Sequence, residues 1–559
     1  MKKLSLILIV LFLGMYASAQ ISTKQVPRSF LLKSEIEIPT TTLSSPDVDA
    51  LMQEDEINAR DFFKPQRCAV AVPMFENYFD KAKHISFDEY DLYLLKVVIP
   101  YAQAIGFSSD NFYLPKGGEL YLYNTDRSKV LGAFTSDNNT EEGVFVTEYV
   151  YGEELIIEYY QPKNITDNAK IELSEFVYFY RDVIHFEDLS EETDEYLSET
   201  EENAIIKKFR DSGSCNVNVN CSEGSNYQDL KKAVCRIQVR GGYSYYFCTG
   251  TLINNTSNDK TPYVIAAGHC VSYSSTSDYN SFIFYFNYEA SGCSTPNTEP
   301  GYTSLTGCTR LAYDNTYGDN GTDHLLVRLK SSIPSSLNPY FAGWSRSTTA
   351  PNKGVCIHHP SGDIKKISTF TQKPTAAEGY TTTHWRVYWA QTTNGFGIVE
   401  GGSSGSGLFN TSGLLVGTLT GGYSDCSNSS ASDQRDWYGQ FNKQFQYLSQ
   451  WLDPSNTGVT TLNGIYYNQQ ASLDKVETNP LTFSVYPSPA KDKITISIDV
   501  PEENCVVSVL DNIGRSLIST KISKSEKQTT LNISSLTSGV YFIRLYSNKN
   551  SYVQKFVKE

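Results

Sequence analysis

Short segments that alternate apolar and polar residues, each bounded by turn-forming residues, constrain the fold of this chain more than any other feature. Clear examples are residues 118–123, 145–151, 155–160, 494–498 and 540–545. A period of two places every second side chain on one face, which is the pattern of a half-buried β-strand. In the central part of the chain a convincing helical pattern occurs only at about residues 440–452. The sequence therefore predicts a mainly β protein.

Length and composition bound the class of protein. At ~150 residues per domain, 559 residues allow roughly three or four domains. Apolar residues make up 40% and charged residues 19% of the chain, which excludes wholesale disorder. The formal net charge of −15 argues against a nucleic-acid partner, because phosphate binding requires a basic surface.

The N-terminus predicts export. Lys2 and Lys3 precede an apolar run at 4–15, and the small residues Ala17–Ala19 follow it. A basic start, a short apolar run and small residues before a cleavage point are typical of a secretory signal peptide, here residues 1–19. The alternative is a membrane anchor, but the run is shorter than the ~20 residues that a membrane-spanning helix needs. We therefore expect a mature protein outside the cytosol.

Export changes what the cysteines indicate. Most of the 11 cysteines lie between Cys215 and Cys426. Outside the cytosol such a cluster favours disulfides. The alternative is a zinc site, but the sequence has no CxxC pair and no HExxH motif among its seven histidines. We expect no metal ion and no cofactor.

The composition also divides the chain. A polar lead-in to about residue 60 is followed by a small β-rich domain at 62–182. The acidic block 187–202 and the basic residues 207–210 are then typical of a solvated linker, which is also a candidate processing site. After residue 215 short strands and frequent turns predict barrels or a sandwich. The last segment, 481–559, has about seven short strands that suit a small β-sandwich.

Three residues are candidates for nucleophilic catalysis, although each has an ordinary structural explanation. Ser404 lies in the Gly-rich segment 401–407, where glycines allow a tight turn and let backbone N–H groups converge on an oxyanion, but flexible Gly/Ser loops are common. His269 follows an apolar strand, where a structural histidine is the commoner case. Asp323 opens an apolar strand, where an acid is often a turn residue. Together they nonetheless supply a nucleophile, a base and a carboxylate that orients the base.

With their surroundings, these residues resemble a known family, the bacterial lysyl endopeptidases, which are trypsin-fold serine proteases. The stretches that carry the resemblance are Cys248–Asn255, Ala266–Cys270, Phe284–Tyr288, Ile357–Asp363, Gly401–Ser406 and Ser424–Ser427. The resemblance covers about residues 212–458 and implies two β-barrels with the site in the cleft between them. It implies His269 as general base, Asp323 as its orienting carboxylate and Ser404 as nucleophile. The N–H groups of Gly402 and Ser404 would form the oxyanion hole.

The resemblance also implies a specificity pocket. The position six residues before Ser404, where digestive trypsins carry an acid, is Ile398. Lysyl endopeptidases carry the acid after the nucleophile, and Asp436, 32 residues on, fits that spacing. A buried carboxylate there would select a substrate Lys or Arg, because an unpaired buried charge is costly. Asp433 is a nearby alternative, and a surface turn is the structural explanation for Asp436.

The substrate backbone would be held by Leu419, Thr420 and Gly421, which we expect to pair with it in an antiparallel β manner. Lysyl enzymes of the family can carry His where Thr420 stands. That departure leaves the choice between Lys and Arg open, with Lys as the preferred substrate residue and Arg as the alternative.

Ser403 stands where digestive trypsins carry the aspartate that pairs with the new N-terminus. That activation switch cannot operate here, and the resemblance implies that disulfides tie down the mature N-terminus instead. The implied pairs are Cys215–Cys426, Cys221–Cys293 and Cys248–Cys270. Cys235, Cys308 and Cys356 are left over, and two of them are candidates for a further pair.

The expected segments are a signal peptide at 1–19, a propeptide at 20–210, a trypsin-like protease domain at 211–458, a linker at 459–480 and a sorting domain at 481–559. The propeptide would assist folding, block the cleft and be cut off after Lys208 or Arg210, by the enzyme itself. The sorting domain rests on a second resemblance, to the domain that directs proteins through the type IX secretion system of Bacteroidetes. The alternative for that domain is an ordinary binding sandwich. The resemblance is carried by Val485–Asp492, Leu536–Arg544 and Lys555–Lys558.

The sequence thus predicts a secreted or surface-attached serine endopeptidase, a monomer that cuts protein or peptide substrates after basic residues through an acyl-enzyme. Its other partner would be the type IX secretion machinery. A function of a different class is that of a catalytically inactive trypsin-like fold serving as a surface adhesin or binding protein. The intact set of His269, Asp323 and Ser404 favours the enzyme, since a binding protein has no need of all three.

Overall fold

The structure is a computed structural model that divides the chain into two compact units, Met1–Asn468 and Gln469–Glu559. It describes residues 25–33, 36–58, 64–181, 212–296, 298–316, 321–377, 380–427, 434–468, 483–498, 505–511, 516–523, 526–546 and 551–559. The expected signal peptide at 1–19, the charged segments at 187–210 with the cleavage sites after Lys208 and Arg210, and the alternative pocket acid Asp433 lie outside these residues.

The N-terminal module, which we define as residues 25–181, consists of two β-sheets around a shared apolar core. Its strands are β1 (Thr40–Thr42), β2 (Arg67–Asn77), β3 (Lys83–Ser86), β4 (Tyr90–Val98), β5 (Ala104–Ser109), β6 (Phe112–Tyr113), β7 (Glu119–Tyr123), β8 (Val130–Phe134), β9 (Phe145–Tyr151), β10 (Glu154–Pro162) and β11 (Lys170–Phe179). Its helices are α1 (Val48–Asn58) and α2 (Tyr78–Lys81). One sheet has the order β1-β4-β10-β7-β8, with β3 on β4. The order β2-β11-β5-β9 belongs to a larger sheet that continues beyond the module.

The described part of the lead-in ahead of residue 60 is more ordered than its polar composition predicted. Helix α1 carries Asp55, whose carboxylate lies 2.8 Å from the guanidinium of Arg67 and 2.9 Å from that of Arg181. Strand β1 pairs in parallel with β4. These partners are distant along the chain, so a reading of local composition misses them.

The central part, residues 212–468, contains two further groups of strands and one α-helix, α3 (Phe441–Leu452), at the position that the sequence predicted. Its first strands are β12 (Val217–Asn218), β13 (Val234–Gly241), β14 (Ser244–Leu252), β15 (Tyr263–Ala266), β16 (Ile283–Phe286), β17 (Thr303–Thr306), β18 (Cys308–Asp314) and β19 (His324–Leu329). Its remaining strands are β20 (Tyr340–Phe341), β21 (Trp344–Ser345), β22 (Gly354–His358), β23 (Lys366–Phe370), β24 (Thr375–Ala377), β25 (Tyr380–Tyr388), β26 (Gly407–Asn410), β27 (Leu415–Gly422), β28 (Arg435–Gln440), β29 (Thr461–Leu462) and β30 (Ile465–Tyr466).

The first group of strands curls into a barrel. Neighbouring strands follow the order β17-β16-β13-β14-β15-β19-β18. Only Gly307 separates β17 from β18, so the two ends of this path are adjacent. The second group has the order β12-β23-β22-β26-β27-β28-β25-β24. The prediction of a mainly β fold with a trypsin-like, barrel-forming protease domain is confirmed.

Strand β2 joins the N-terminal module to the first barrel. It pairs antiparallel with β14, in the register Val70 with Ser244 and Ala69 with Tyr245. The sheet of the module and the sheet of the barrel are therefore continuous. No period in the sequence predicts this pairing, because β2 and β14 are far apart in the chain and their edges meet only after folding.

The predicted linker at 459–480 begins too early. Residues 461–462 and 465–466 form β29 and β30, which pair with β21 and β20. Ile465 is buried in the core of the central part, and Leu462 packs against the same core. These two apolar side chains and the strand pairing hold residues 461–466 against the central part.

The C-terminal unit has seven strands among the described residues. They are β31 (Phe483–Tyr486), β32 (Lys493–Ile498), β33 (Cys505–Leu510), β34 (Ser516–Ile522), β35 (Gln528–Asn532), β36 (Gly539–Tyr546) and β37 (Ser551–Lys558). They form sheets of three and four strands, and the alternate residues Ile494, Ile496 and Ile498 are buried. The predicted small β-sandwich is confirmed. In the described parts of the chain, no helix has the length and apolar content to cross a membrane.

Candidate active site

His269 lies just after β15, in the short turn Gly268–Val271. A Cβ atom at Gly268 would lie 2.0 Å from the carbonyl oxygen of Asp314, so the turn needs glycine there. Cys270 is joined to Cys248 of β14 by a disulfide. His269 is only 1% exposed. The imidazole is thus held at a fixed place by the backbone on both sides of it.

Asp323 contacts His269 with both carboxylate oxygens. Oδ2 lies 2.8 Å from Nδ1 of the imidazole, and Oδ1 accepts the backbone N–H of His269 at 2.8 Å. Asp323 itself is fully buried and has a φ of 47°, in the left-handed region. Because a carboxylate only accepts hydrogen bonds, Nδ1 carries the proton and Nε2 is left as the acceptor. Nε2 has no hydrogen-bond partner among the described residues.

Ser404 lies in the loop ahead of β26, against the turn that carries His269. Gly405 has a φ of 85°, and a Cβ atom there would lie 2.5 Å from the backbone nitrogen of Ala267. The carbonyl oxygen of Ser404 accepts the N–H of Thr249 at 2.9 Å. The second group of strands therefore brings Ser404 to the part of the first barrel that holds His269. The loop that carries Ser404 thus lies against the turn that carries His269, the residue that Asp323 contacts, and no hydrogen bond joins Ser404 to Nε2 of His269 among the described residues.

Three N–H groups of the same loop, those of Gly401, Gly402 and Ser404, have no acceptor within the part of the chain that the structure describes. Ser403 donates to the carbonyl of Glu400 at 3.0 Å and Gly405 to that of Leu419 at 2.9 Å. Gly402 has a φ of 86°, which favours glycine. The free donors thus include the N–H groups of Gly402 and Ser404, the two that the sequence analysis expected at the oxyanion hole.

Asp436 is fully buried in β28 and accepts hydrogen bonds at both oxygens. Oδ2 accepts the indole N–H of Trp389 and, at 2.6 Å, the hydroxyl of Ser424. Oδ1 accepts the backbone N–H of Ser424 at 3.2 Å. Burial raises the pKa of Asp436 to about 6, and the hydrogen bonds from Ser424 and Trp389 oppose that rise.

The backbone around Asp436 is closely packed. A Cβ atom at Gly422 would lie 1.8 Å from Oδ1 of Asp436, so glycine gives the carboxylate its space. Gly422 pairs with Asp436 in the register of β27 and β28. The carboxylate therefore lies beside the strand that carries the other expected substrate contacts.

Those contacts, Leu419, Thr420 and Gly421, lie on β27, where the register with β28 shifts between Leu419 and Gly421. The hydroxyl of Thr420 lies 3.1 Å from Nε2 of His384. Burial lowers the pKa of His384 to about 4, so this imidazole is neutral at physiological pH. It takes part in hydrogen bonding rather than in charge recognition.

Sequence reasoning assigned no role to His384 and did not single out Trp389 or Ser424 as partners of the pocket acid. Trp389 donates its indole N–H to Asp436. Ser424 stands in a stretch that carried the family resemblance, which was the one available signal. Neither contact follows from spacing, since Trp389 follows β25 and Ser424 follows β27, whereas Asp436 lies on β28.

Three disulfides occur among the described residues, and they are the pairs that the resemblance implied. Cys215 pairs with Cys426, Cys221 with Cys293 and Cys248 with Cys270. The expectation of a further pair among Cys235, Cys308 and Cys356 is wrong, because all three are buried thiols. Burial raises the pKa of the Cys235 and Cys356 thiols to about 12. No group of three or more metal-ligating side chains occurs within the described ranges.

Comparison with known proteins assigns two parts of the chain. Residues 209–439 match the family "Lysyl endopeptidase, C-terminal domain", and residues 484–559 match the family "Secretion system C-terminal sorting domain". These matches confirm both resemblances. The sorting domain also confirms the predicted destination, the cell surface or the outside of the cell.

A relative with a known name is the lysyl endopeptidase of Pseudomonas aeruginosa, 32% identical over 262 residues. The match covers 44% of this chain and 53% of that protein, so the chain spans about half the length of this relative.

Solved structures with some similarity are those of serine proteases. The thermostable serine protease AL20 is 15% identical, with 39% of this chain and 95% of that chain covered and a TM-score of 0.28. Protease Anisep from Arthrobacter nicotinovorans is 16% identical, with coverages of 40% and 93% and a TM-score of 0.26. A Glu endopeptidase is 14% identical, with coverages of 43% and 98% and a TM-score of 0.26.

Proposed function

We propose that this chain is an exported serine endopeptidase in which Ser404 is the nucleophile. The observation that supports the proposal most is the buried contact between His269 and Asp323. It leaves Nε2 of the imidazole as an acceptor, and this atom has no partner among the described residues. A serine hydroxyl is a weak nucleophile until a neighbouring base accepts its proton. Ser404 would use that base, and the packing of its loop against the His269 turn supports this role.

The reaction has two halves. His269 Nε2 accepts the proton of Ser404 as Oγ attacks the substrate carbonyl, and the N–H groups of Gly402 and Ser404 stabilise the oxyanion. The imidazolium then protonates the leaving nitrogen, the peptide bond breaks and an acyl-enzyme remains. A water molecule, activated by the same imidazole, hydrolyses the acyl-enzyme. Asp323 stabilises the imidazolium through Nδ1.

The substrate residue before the cut is Lys or Arg, and Asp436 recognises its charge. A buried carboxylate without a cation is costly, and a cation bound next to it favours the ionised form. Leu419, Thr420 and Gly421 of β27, the strand that pairs with the strand of Asp436, bind the backbone of the substrate. Lys is preferred and Arg is the alternative.

The rest of the chain serves export and control. Residues 1–19 are the signal peptide, 20–210 a propeptide, 211–468 the protease domain including β29 and β30, and 481–559 the sorting domain, which the type IX secretion machinery recognises. The enzyme acts as a monomer on protein or peptide substrates. It removes its own propeptide after Lys208 or Arg210, and N-terminal sequencing of the mature form checks this: a start far from residues 209–211 would refute it.

Labelling with a serine-reactive fluorophosphonate tests the proposal. The processed wild type should be labelled and should cleave Lys-containing peptides. Ser404→Ala should lose labelling and all measurable turnover while it keeps the circular dichroism spectrum and melting temperature of the wild type. Ser412→Ala is the matched control, because this serine lies exposed in the turn that follows β26. A folded, processed wild type that stays unlabelled would favour the inactive binding protein instead.

A further inference from the structure

The N-terminal module passes directly beside the nucleophile. The carbonyl oxygen of Gln66, just ahead of β2, accepts the N–H of Phe247 of β14 at 3.3 Å. A Cβ atom at Gly401 would lie 2.0 Å from Oε1 of Gln66, so the side chain of Gln66 packs on the loop that carries Gly402. Gln66 thus contacts the first barrel on one side and the oxyanion loop on the other. At this residue the module crosses the cleft.

The register of β2 shows which residues face Ser404. Arg67 pairs with Tyr246, and Gln66 bonds to Phe247. Because the strands are antiparallel, continuing this register places Pro65 level with Cys248 and Lys64 level with Thr249. Thr249 is the residue that donates its N–H to the carbonyl of Ser404. On this extrapolated register, the bond between Lys64 and Pro65 would lie level with the nucleophile.

A substrate would run from the pocket acid towards β14. Asp436, the proposed charge-recognising residue, lies on β28 of the second group of strands, whereas Gln66 bonds to β14 of the first barrel. A peptide that enters past the pocket and leaves along β14 presents Lys64 as the residue before the cut. Pro65 and Gln66 would be the first residues of the leaving group. Pro65 is buried, as a residue inside the cleft must be.

We propose that Lys64-Pro65-Gln66 is a built-in, substrate-like inhibitor of the active site, an inference that rests on the proposed function. The segment offers the basic residue that the site selects, followed by a bond that it cuts poorly. Proline has no N–H, and its ring carbon occupies that position. The ring crowds the nitrogen that His269 must protonate when the bond between the Lys64 carbonyl carbon and the Pro65 nitrogen breaks.

Lys64 is also restrained by the module itself. Its side chain is exposed, and Nζ donates to the side-chain oxygen of Asn58, the last residue of α1, at 2.7 Å. The ammonium group is therefore held by the helix in this structure rather than by Asp436. The segment covers the leaving-group side of the cleft while the pocket acid keeps its own hydrogen bonds from Trp389 and Ser424.

The first experiment turns the inhibitor into a substrate in the full chain. Pro65→Ala should produce a new fragment that begins at residue 65, detected by intact mass and N-terminal sequencing, while the wild type shows no cut there. Lys64→Gln combined with Pro65→Ala should remove that fragment, because the basic residue is lost. Ser404→Ala combined with Pro65→Ala should remove it too, because the nucleophile is lost. A folded Pro65→Ala chain that matures normally and is never cut after Lys64 contradicts the inference.

A second experiment does not depend on the folding of any variant. A synthetic peptide of residues 58–72 should inhibit the processed enzyme competitively, and Lys64→Gln in the peptide should raise the inhibition constant at least tenfold. The Pro65→Ala peptide should be hydrolysed between residues 64 and 65. If the enzyme cleaves a Lys reporter but neither binds the unmodified peptide nor cuts the Pro65→Ala peptide, the inference is wrong and the proposed function stands. An enzyme that cleaves no Lys or Arg reporter overturns the proposed function, and the inference with it.

Discussion

At the scale of single residues, Asp436 is a carboxyl group that the fold removes from water. Burial raises its pKa from the ordinary 3.8 to about 6, although Ser424 and Trp389 donate to it. Because the folded-state pKa is raised, the stabilising contribution of the neutral form is complete below pH about 4 and is lost as the pH rises through about 6. Ionisation of Asp436, which a substrate cation requires, therefore lowers the folding stability of the free enzyme.

This pKa leads to a pH prediction for specificity. Below pH about 6 the free enzyme protonates Asp436, so the preference for a Lys substrate over an uncharged one should fall, by up to tenfold per pH unit. The measurement is the ratio of kcat/KM for two peptides that differ only in the residue before the cut. Taking the ratio cancels every pH effect that the two substrates share. A ratio that stays constant from pH 5 to 8 would contradict the assignment.

Asp436→Asn should remove the basic preference altogether. Loss of one partner of a buried ion pair costs about 3 kcal/mol or more, so kcat/KM for a Lys peptide should fall by roughly 100-fold or more. An uncharged peptide should be affected much less. Asp425→Asn is the matched control, since this carboxylate is exposed and accepts only a local N–H bond from Ser427. A peptide-library profile of Asp436→Asn that is still dominated by Lys would argue against the pocket.

At the scale of elements, β14 connects more parts of the site than any other strand described above. Cys248 holds the His269 turn, Thr249 binds the carbonyl of Ser404, and Phe247 binds Gln66 of the N-terminal module. The positions of the base, the nucleophile and the inhibiting segment therefore depend on one strand. Its apolar residues hold it in the core, with Phe247 1% and Leu252 0% exposed.

Removal of the disulfide on this strand tests its importance. Cys248→Ala with Cys270→Ala opens a loop with a sequence separation of 22 residues, which should lower the free energy of unfolding by about 3 kcal/mol. The kcat of the folded enzyme should also fall, because the His269 turn loses its anchor. The control is Cys221→Ala with Cys293→Ala, which opens a longer loop of 72 residues and should cost about 4 kcal/mol. We expect kcat to be unchanged in that control; an equal loss of kcat in both double variants would refute the positioning role.

At the scale of the whole molecule, the N-terminal module and the central part share charged contacts as well as a sheet. Glu175 of β11 accepts from Tyr245 at 2.6 Å and from Arg240 at 3.0 Å, and it is 5% exposed. Lys129 lies 2.8 Å from the carboxylate of Glu299. Buried charges need their partners, so such contacts make the separation of the two parts costly.

We therefore expect the module to stay bound after the chain is cut between residues 182 and 211, and the active enzyme to form only when the module is later released. The measurement is co-elution of the two fragments of Ser404→Ala after limited proteolysis by an added protease. Glu175→Ala leaves Arg240 without this partner and should weaken the complex by at least tenfold. Glu172→Ala, on the same strand but half-exposed, should leave binding unchanged. Equal dissociation of the two variants would show that the buried contact is unimportant.

The sequence by itself determined the local features. The period of two placed strands such as 494–498, and the motifs around Ser404, His269 and Asp323 identified the type of chemistry, because both depend on residues that are neighbours in the chain or carry a family pattern. The disulfide pairs came with that pattern. Only the tertiary structure decided which edges and side chains meet.

The contacts that the sequence could not predict join distant residues. β2 joins β14, Gln66 packs on Gly401, and Trp389 donates to Asp436. A hydrogen bond or an edge pairing across the fold leaves no period and no spacing in the chain, since it depends on where two separate strands end up. The physical reason is that a buried polar group must bond to a partner that lies next to it in space. Only folding decides which residues become neighbours.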